Sequence, residues 1–242
     1  MIYIINDFIV ILIVITNAII MELEISNEFG TKLPDYRVIL MEGDVTVSPT
    51  GDEQKKSMDA LAEEISSKLA VNEINTIPAI KATRNAYKVC GKDPNRYRPS
   101  QEQLMRRIVR GLGLYNVNSL VDAGNELSLT TGCSVGCFDA AKIEGDTLTI
   151  GIGSAGEPYE GIGRGAINVE GLPIVRDSKG GIGTPTSDNE RTKITPDTRH
   201  LVMTIHLFDN AINAESVINK AKELFSKYAD AKNWNVKVFA VS

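Results

Sequence analysis

The apolar residues of this chain fall into short runs of strand type and longer stripes of helical spacing. Leu23 to Ile25 reads as a short strand with Ser26 as the N-cap of a following helix, and Tyr36 to Val47 as a strand broken near Gly43. From Asp52 to Leu69, the residues Met58, Leu61, Ala62, Ile65 and Leu69 recur at helical spacing, so one face of this helix packs on a sheet. A second helix starts near Thr76, carries Pro78 in its first turn, where the missing N–H is not needed, and runs to about Val89 before Gly91 and Pro94 end it. After the loop GKDPNRYRP, Ser100 and Gln103 have the spacing of a capping box, and Leu104, Ile108 and Leu112 form the expected buried stripe of a third helix. A further helix is expected over Val117 to Leu129. Short strands follow at Thr147–Ile152, Ile167–Val169 and Ile174–Val175, and the chain closes with strand Leu201–Phe208, helix Ala214–Tyr228 and strand Val236–Val241. This order, without regular βαβ winding, repeats or a clear linker, predicts an α/β fold of the α+β kind, with a large mixed sheet flanked by helices.

The first twenty residues break the pattern. MIYIINDFIVILIVITNAII is apolar but holds Asp7, and no Lys or Arg occurs before Lys32. A secretory signal needs a positive start and a small-residue cleavage site, and a membrane span needs a longer uninterrupted run. We expect residues 1–20 to be a leader outside the fold and residues 21–242 to form one domain; an unusual signal or an N-terminal anchor are the alternatives.

Composition narrows the function. The 242 residues are 43% hydrophobic, enough to bury a real core, and the formal net charge of −5 argues against holding duplex nucleic acid through an overall basic surface. The charge is unevenly placed, however. Between positions 81 and 110 stand Lys81, Arg84, Lys88, Lys92, Arg96, Arg98, Arg106, Arg107 and Arg110, opposed only by Asp93 and Glu102. Such a stripe either holds a polyanion locally or forms solvated helix faces. Cys90, Cys133 and Cys137 fit reduced thiols, which points to a cytoplasmic location, and neither they nor His200 and His206 have metal-site spacing. No metal or cofactor is expected.

The stretch from Tyr159 to Thr192 is dense in glycine, including Gly161, Gly163, Gly165, Gly180, Gly181 and Gly183, and polar groups are interleaved with them. Tight turns in a β-rich domain would explain the glycines; so would a pocket where backbone approaches a ligand. Tyr159, Glu160, Arg164, Thr184, Thr186 and Ser187 are the candidate substrate-binding groups. Arg164 suits a carboxylate or phosphate because its planar fork makes two parallel bonds, and Asp188 and Glu160 are the available acid–base groups. Arg96, Arg98 and Arg107 are candidates for RNA phosphate contacts, with Tyr97 and Tyr115 near them in sequence for base stacking.

The segment from Pro99 to Ile150, with its helix ending in Arg106-Arg107, VNSLVDAGN at Val117 to Asn125, Gly132, and Phe138-Asp139 followed by a lysine, resembles the tRNA-binding and editing module (B3/B4) of the phenylalanyl-tRNA synthetase β subunit. The YEGIGRG and GGIGTPTSD segments are similar to stand-alone members of that family. The resemblance implies a tRNA-binding domain, not a complete ligase, that would act in trans on an aminoacyl-tRNA acceptor end as a deacylase. It assigns the family asparagine to Asn125 and a loop glycine to Gly183, which with Asp188 make the candidate catalytic set; Gly183 and Thr184 would offer backbone amides. The family histidine falls instead on Gly136, and a glutamate falls near Thr204. Two alternatives therefore remain: a non-catalytic RNA-binding module, and a small-molecule-binding protein or enzyme on the same fold.

Overall fold

The computed structural model describes residues 2–5, 8–11 and 21–241. Strands β1 (Ile2–Ile5) and β2 (Phe8–Ile11) pair antiparallel. The expectation of a leader over residues 1–20 otherwise lies outside the described residues. From Met21 the chain runs through β3 (Glu22–Ile25), α1 (Asn27–Lys32), β4 (Arg37–Asp44), α2 (Asp52–Lys68), α3 (Pro78–Cys90), α4 (Ser100–Val109) and α5 (Ser119–Thr131). It continues through β5 (Ser134–Asp139), β6 (Thr147–Ile152), β7 (Glu160–Gly161), β8 (Gly165–Ala166), β9 (Pro173–Asp177), β10 (Gly180–Thr184) and β11 (Ser187–Asp188). Strand β12 (His200–Leu207), helix α6 (Ala214–Ala229) and strand β13 (Lys232–Ala240) complete it. Caps set the helix ends: Ser26 Oγ accepts from the Phe29 amide, Asn118 Oδ1 accepts from that of Val121, and Gly91, at φ 99°, closes α3 in the left-handed region.

The mixed α/β class is as expected, with the main strands divided between two sheets. One has the order β11-β10-β9-β6-β3, in which only β3 and β6 pair in parallel; the other is the antiparallel β13-β4-β12-β5. Alternation along β4 and β12 builds two cores. Ile39, Met41, Met203 and Ile205 face Leu120, Leu127, Leu224 and Phe225 of α5 and α6. On the opposite face Val38, Leu40 and Val202 meet Leu23, Leu148, Ile150, Val175 and Ile182 of the second sheet. The result is a helix layer on one sheet and a second sheet beneath it. Each such side chain contributes roughly 1.5–3 kcal/mol by leaving water. The buried polar pair in this packing is Tyr36 OH with His206 Nδ1, at 2.6 Å, and burial pushes the histidine down to about 4, so it is neutral.

Several elements differ from expectation for local reasons. Strand β4 passes through Gly43 unbroken, and the missing side chain makes room for the Trp234 ring on β13, which would lie 2.9 Å from a Cβ there. The Ser100/Gln103 capping box does not form: Pro99 is the N-cap, without a side-chain bond, and Ser100 is the first helical residue. The buried face of α4 is Gln101, Glu102, Met105 and Ile108, while Leu112 lies beyond the helix and is exposed. No strand forms at Ile167–Val169, where Val169 packs with Tyr87, Tyr159, Leu172 and Ile174 as part of an irregular layer.

Candidate functional site

An arginine-lined cleft runs along the exposed face of α4. Gln103, Arg106, Arg107 and Arg110 follow helical spacing and so share that face. Arg98 from the preceding loop, Arg164 from the glycine-rich segment, Tyr115 and Thr186 also line it, and the volume is about 330 Å³. The Gln103 amide ties the walls together: its Nε2 donates to the Arg98 carbonyl at 2.7 Å and to that of Thr186 at 3.3 Å, and its Oε1 accepts from Arg164 Nη2. The Ser100 amide donates to the Pro185 carbonyl at 2.7 Å, fixing the start of α4 to the β10–β11 turn. Below this face the fully buried Glu102 carboxylate bonds Arg84 at 2.9 Å and Arg106 at 2.8 Å, with Arg98 at 3.7 Å. One buried anion thus holds Arg98 and Arg106 at the cleft wall, with the terminal nitrogens of Arg106 left for a second anion, while Arg84 is taken up by Glu102, the Pro94 carbonyl and the Asn95 side chain.

Asn125, half-buried on α5, lines this cleft and also a second, more apolar pocket of about 360 Å³. The walls of that pocket are Val117, Val121, Val135, Ile162 and Ile194, and its polar groups are Asn125, Asp188 and Lys193. Lys193 is engaged with Glu190 at 2.5 Å. Asp188 reaches across from β11 to the edge strand β5, where its Oδ2 accepts from the Cys137 amide at 3.1 Å. Desolvation dominates over that bond and pushes the carboxyl up to about 7. A carboxyl that titrates near neutrality beside an apolar wall is suited to proton transfer.

The positions around Asp188 explain its placement. Gly136 pairs with Thr204 across β5 and β12, and a Cβ on Gly136 would lie 3.1 Å from Thr204 Oγ1, 3.2 Å from Asp188 Oδ1 and only 2.7 Å from Phe138 Cζ. Gly136 and Thr204, onto which the resemblance would carry a histidine and, nearby, a glutamate, are therefore direct neighbours, and Asp188 occupies the space over them. The buried Thr204 hydroxyl finds no partner among the described residues. A histidine at Gly136 has no room.

The remaining candidates separate into lining and framework. Arg98, Arg107, Arg164 and Thr186 line the cleft, whereas Arg96 does not, and Lys92 rather than a free face covers Tyr97, at 3.9 Å. Gly183 is buried inside the sheet, paired with Val175 and Asp188, and its missing side chain admits the Phe138 ring, 2.6 Å from the point a Cβ would occupy. Its expected role as an exposed amide donor therefore does not fit; it gives space. Thr184 Oγ1 accepts from the amides of Thr186 and Ser187 and donates to the Ser187 carbonyl, and Tyr159 OH donates to the same carbonyl at 2.7 Å. Thr184 and Tyr159 thus hold the turn that carries Ser187 and Asp188 rather than facing a ligand. Glu160 is exposed on β7, outside both linings. Sequence reasoning missed the apolar walls from Val121, Val135, Ile162 and Ile194 and the organising part of Glu102, because each sits in a different element and none belongs to a motif.

Comparison with known proteins supplies a family. The model of the B3/4 domain family matches residues 82–237. Among solved structures, a similar one is an N-terminal fragment of the phenylalanyl-tRNA synthetase beta-subunit from Pyrococcus horikoshii, at 12% identity and a TM-score of 0.43, covering 89% of this chain and 50% of that one. The chain thus spans about half the length of that fragment. No curated protein matches.

Proposed function

The chain belongs to the B3/4 domain family, and from that premise we propose that it binds the acceptor end of an aminoacyl-tRNA and hydrolyses the ester in trans. The observation that carries this reading is the junction at Asn125 of an arginine-lined cleft with an apolar pocket holding Asp188. An aminoacyl-tRNA end has the matching order of parts: phosphates, then a ribose ester, then a side chain. The cleft arginines take the phosphates, Asn125 at the junction donates to the ester carbonyl, and the apolar walls receive the amino-acid side chain. Ionised Asp188 accepts a proton from a water as its oxygen bonds the carbonyl carbon. The bond from that carbon to the ribose oxygen then breaks, and the proton passes to the departing hydroxyl, leaving a free amino acid and an uncharged tRNA.

The test is release of amino acid from a panel of mischarged tRNAs. Asp188→Asn should lower the rate by about two to four powers of ten, and Asn125→Ala by about two to three. Release no faster than in buffer across the panel removes the hydrolytic reading. RNA binding retained in that case would favour a non-catalytic module, the reading that Gly136 and Thr204 support by bringing no ionisable side chain to the positions they occupy.

A further inference from the structure

Tyr115 is an exposed aromatic ring, 57% accessible, mounted on a loop that is otherwise tied down. Arg107 covers one face, its guanidinium carbon 3.9 Å from the ring centroid, and is itself fixed by donation from Nε to the Gly113 carbonyl and from Nη2 to that of Leu112, both at 3.0 Å. The next residue but one, Val117, donates its amide to both oxygens of the buried Asp122 carboxylate, at 3.1 and 3.2 Å, and Leu114 packs into the apolar cluster between α2 and α4. The ring is therefore held in place without being used by the core. It also lies in the arginine-lined cleft, and the exposed apolar side chains Leu112, Val117 and Ile162 line the same cleft or the adjoining pocket.

We infer that Tyr115, backed by Arg107, is a stacking platform for an unpaired nucleotide base, and that the cleft takes single-stranded RNA ends in preference to duplex. This rests on the proposed RNA binding and specifies the form of RNA. A rigid aromatic face beside free guanidinium donors matches a single strand, which offers a base face and a phosphate together; in a duplex the base faces are stacked on one another. Charge complementarity with Arg106, Arg107 and Arg110 sets the occupant as a polyanion.

The experiment uses the full chain with two RNA helices of the same sequence, one blunt and one with a short unpaired 3′ tail ending in 2-aminopurine. The tailed helix should bind more tightly and its fluorescence should be quenched on binding. Tyr115→Ala should abolish the quenching and weaken binding of the tailed helix by about ten-fold or more, well beyond any effect on the blunt helix, and Tyr115→Trp should restore both. Arg110→Ala should weaken both RNAs and flatten the salt dependence. Equal binding of the two helices, or quenching that survives Tyr115→Ala, overturns the platform; if Arg110→Ala still weakens binding in that case, the RNA-binding reading stands without it. Absence of RNA binding by the unaltered chain overturns both.

Discussion

Asp188 carries the clearest residue-scale tension in the molecule. Its carboxylate accepts the amide of edge-strand residue Cys137, which supports the fold, yet desolvation holds its pKa at about 7 against an ordinary value of 3.8. A carboxyl raised in the folded state binds more protons there than in the unfolded chain. Its contribution to stability is therefore fully present below about pH 4 and is lost as pH rises through about 7. Asp188→Asn should remove that loss: thermal melting of the variant, compared with the unaltered chain, should show a relative gain in Tm that grows from pH 4 to pH 8 and reaches several degrees. A difference in Tm independent of pH would show that the carboxyl titrates outside this window. The same residue explains the two glycines beneath it. Gly136 and Gly183 each place a missing Cβ 3.2 Å from Asp188 Oδ1 and under 3 Å from the Phe138 ring, so a larger residue at either position displaces the carboxyl or the ring. A histidine introduced at Gly136 is thus expected to damage the pocket rather than add a catalytic group to it.

At the scale of elements, α4 shows how a helix can bury charge. Glu102 has no exposed surface and holds Arg84 of α3 and Arg106 of its own helix, so the ionic core joins two helices and points toward the cleft. Removing one partner of such a group leaves the others uncompensated, at a cost of about 3–5 kcal/mol in fully buried sites and less here because both arginines retain some water contact. Glu102→Gln should lower unfolding free energy by about 2–3 kcal/mol, and a double-mutant cycle with Arg84→Ala should return a coupling of about 1 kcal/mol or more. Additive effects would mean that the ion pair carries no energy of its own. This helix also marks the limit of what periodicity reveals. The apolar stripes of α2 and α6 locate those helices closely, because the burial of α6 is apolar throughout and in α2 only Gln54, in the first turn, departs from an apolar buried face. In α4 the buried face includes Gln101 and Glu102, so a stripe drawn through Leu104, Ile108 and Leu112 is rotated from the true one and runs past the end of the helix. Strand β5 escapes sequence reading because Ser134, Gly136 and Cys137 are small and do not alternate in hydrophobicity, and its burial comes from β12, α5, β11 and β10 packing around it. Of the site, Asp188 and the arginine stripe are legible as residue types in a suggestive setting, and Asn125 through the family resemblance alone. The apolar walls are not, since no local pattern links Val121, Val135, Ile162 and Ile194.

Over the whole molecule, the two sheets are joined near their β3 and β13 edges by polar contacts as well as by the shared core. Lys237 of β13 bonds Glu22 of β3 at 2.6 Å, and the Met21 amide donates to both carboxylate oxygens of Glu42 on β4, at 3.1 and 3.2 Å. Burial raises the Glu42 carboxyl, while the Met21 amide, the nearby His200 and Asn235 act to lower it. A chain shortened to begin at Met21 would replace that amide with an α-ammonium facing the same carboxylate, so a neutral-donor bond becomes an ion pair in a partly desolvated position. Its amino group, with an ordinary pKa of about 7.7–8.0, would be raised by the carboxylate. The resulting stability is present below that ordinary value and is lost as pH rises through the raised one. The shortened chain should therefore melt at or above the Tm of the full chain at pH 6 to 7, and Glu42→Gln should weaken the shortened chain more than the full one. A clear loss of Tm on shortening, with no dependence on Glu42, would mean instead that residues before Met21 contribute packing to the fold.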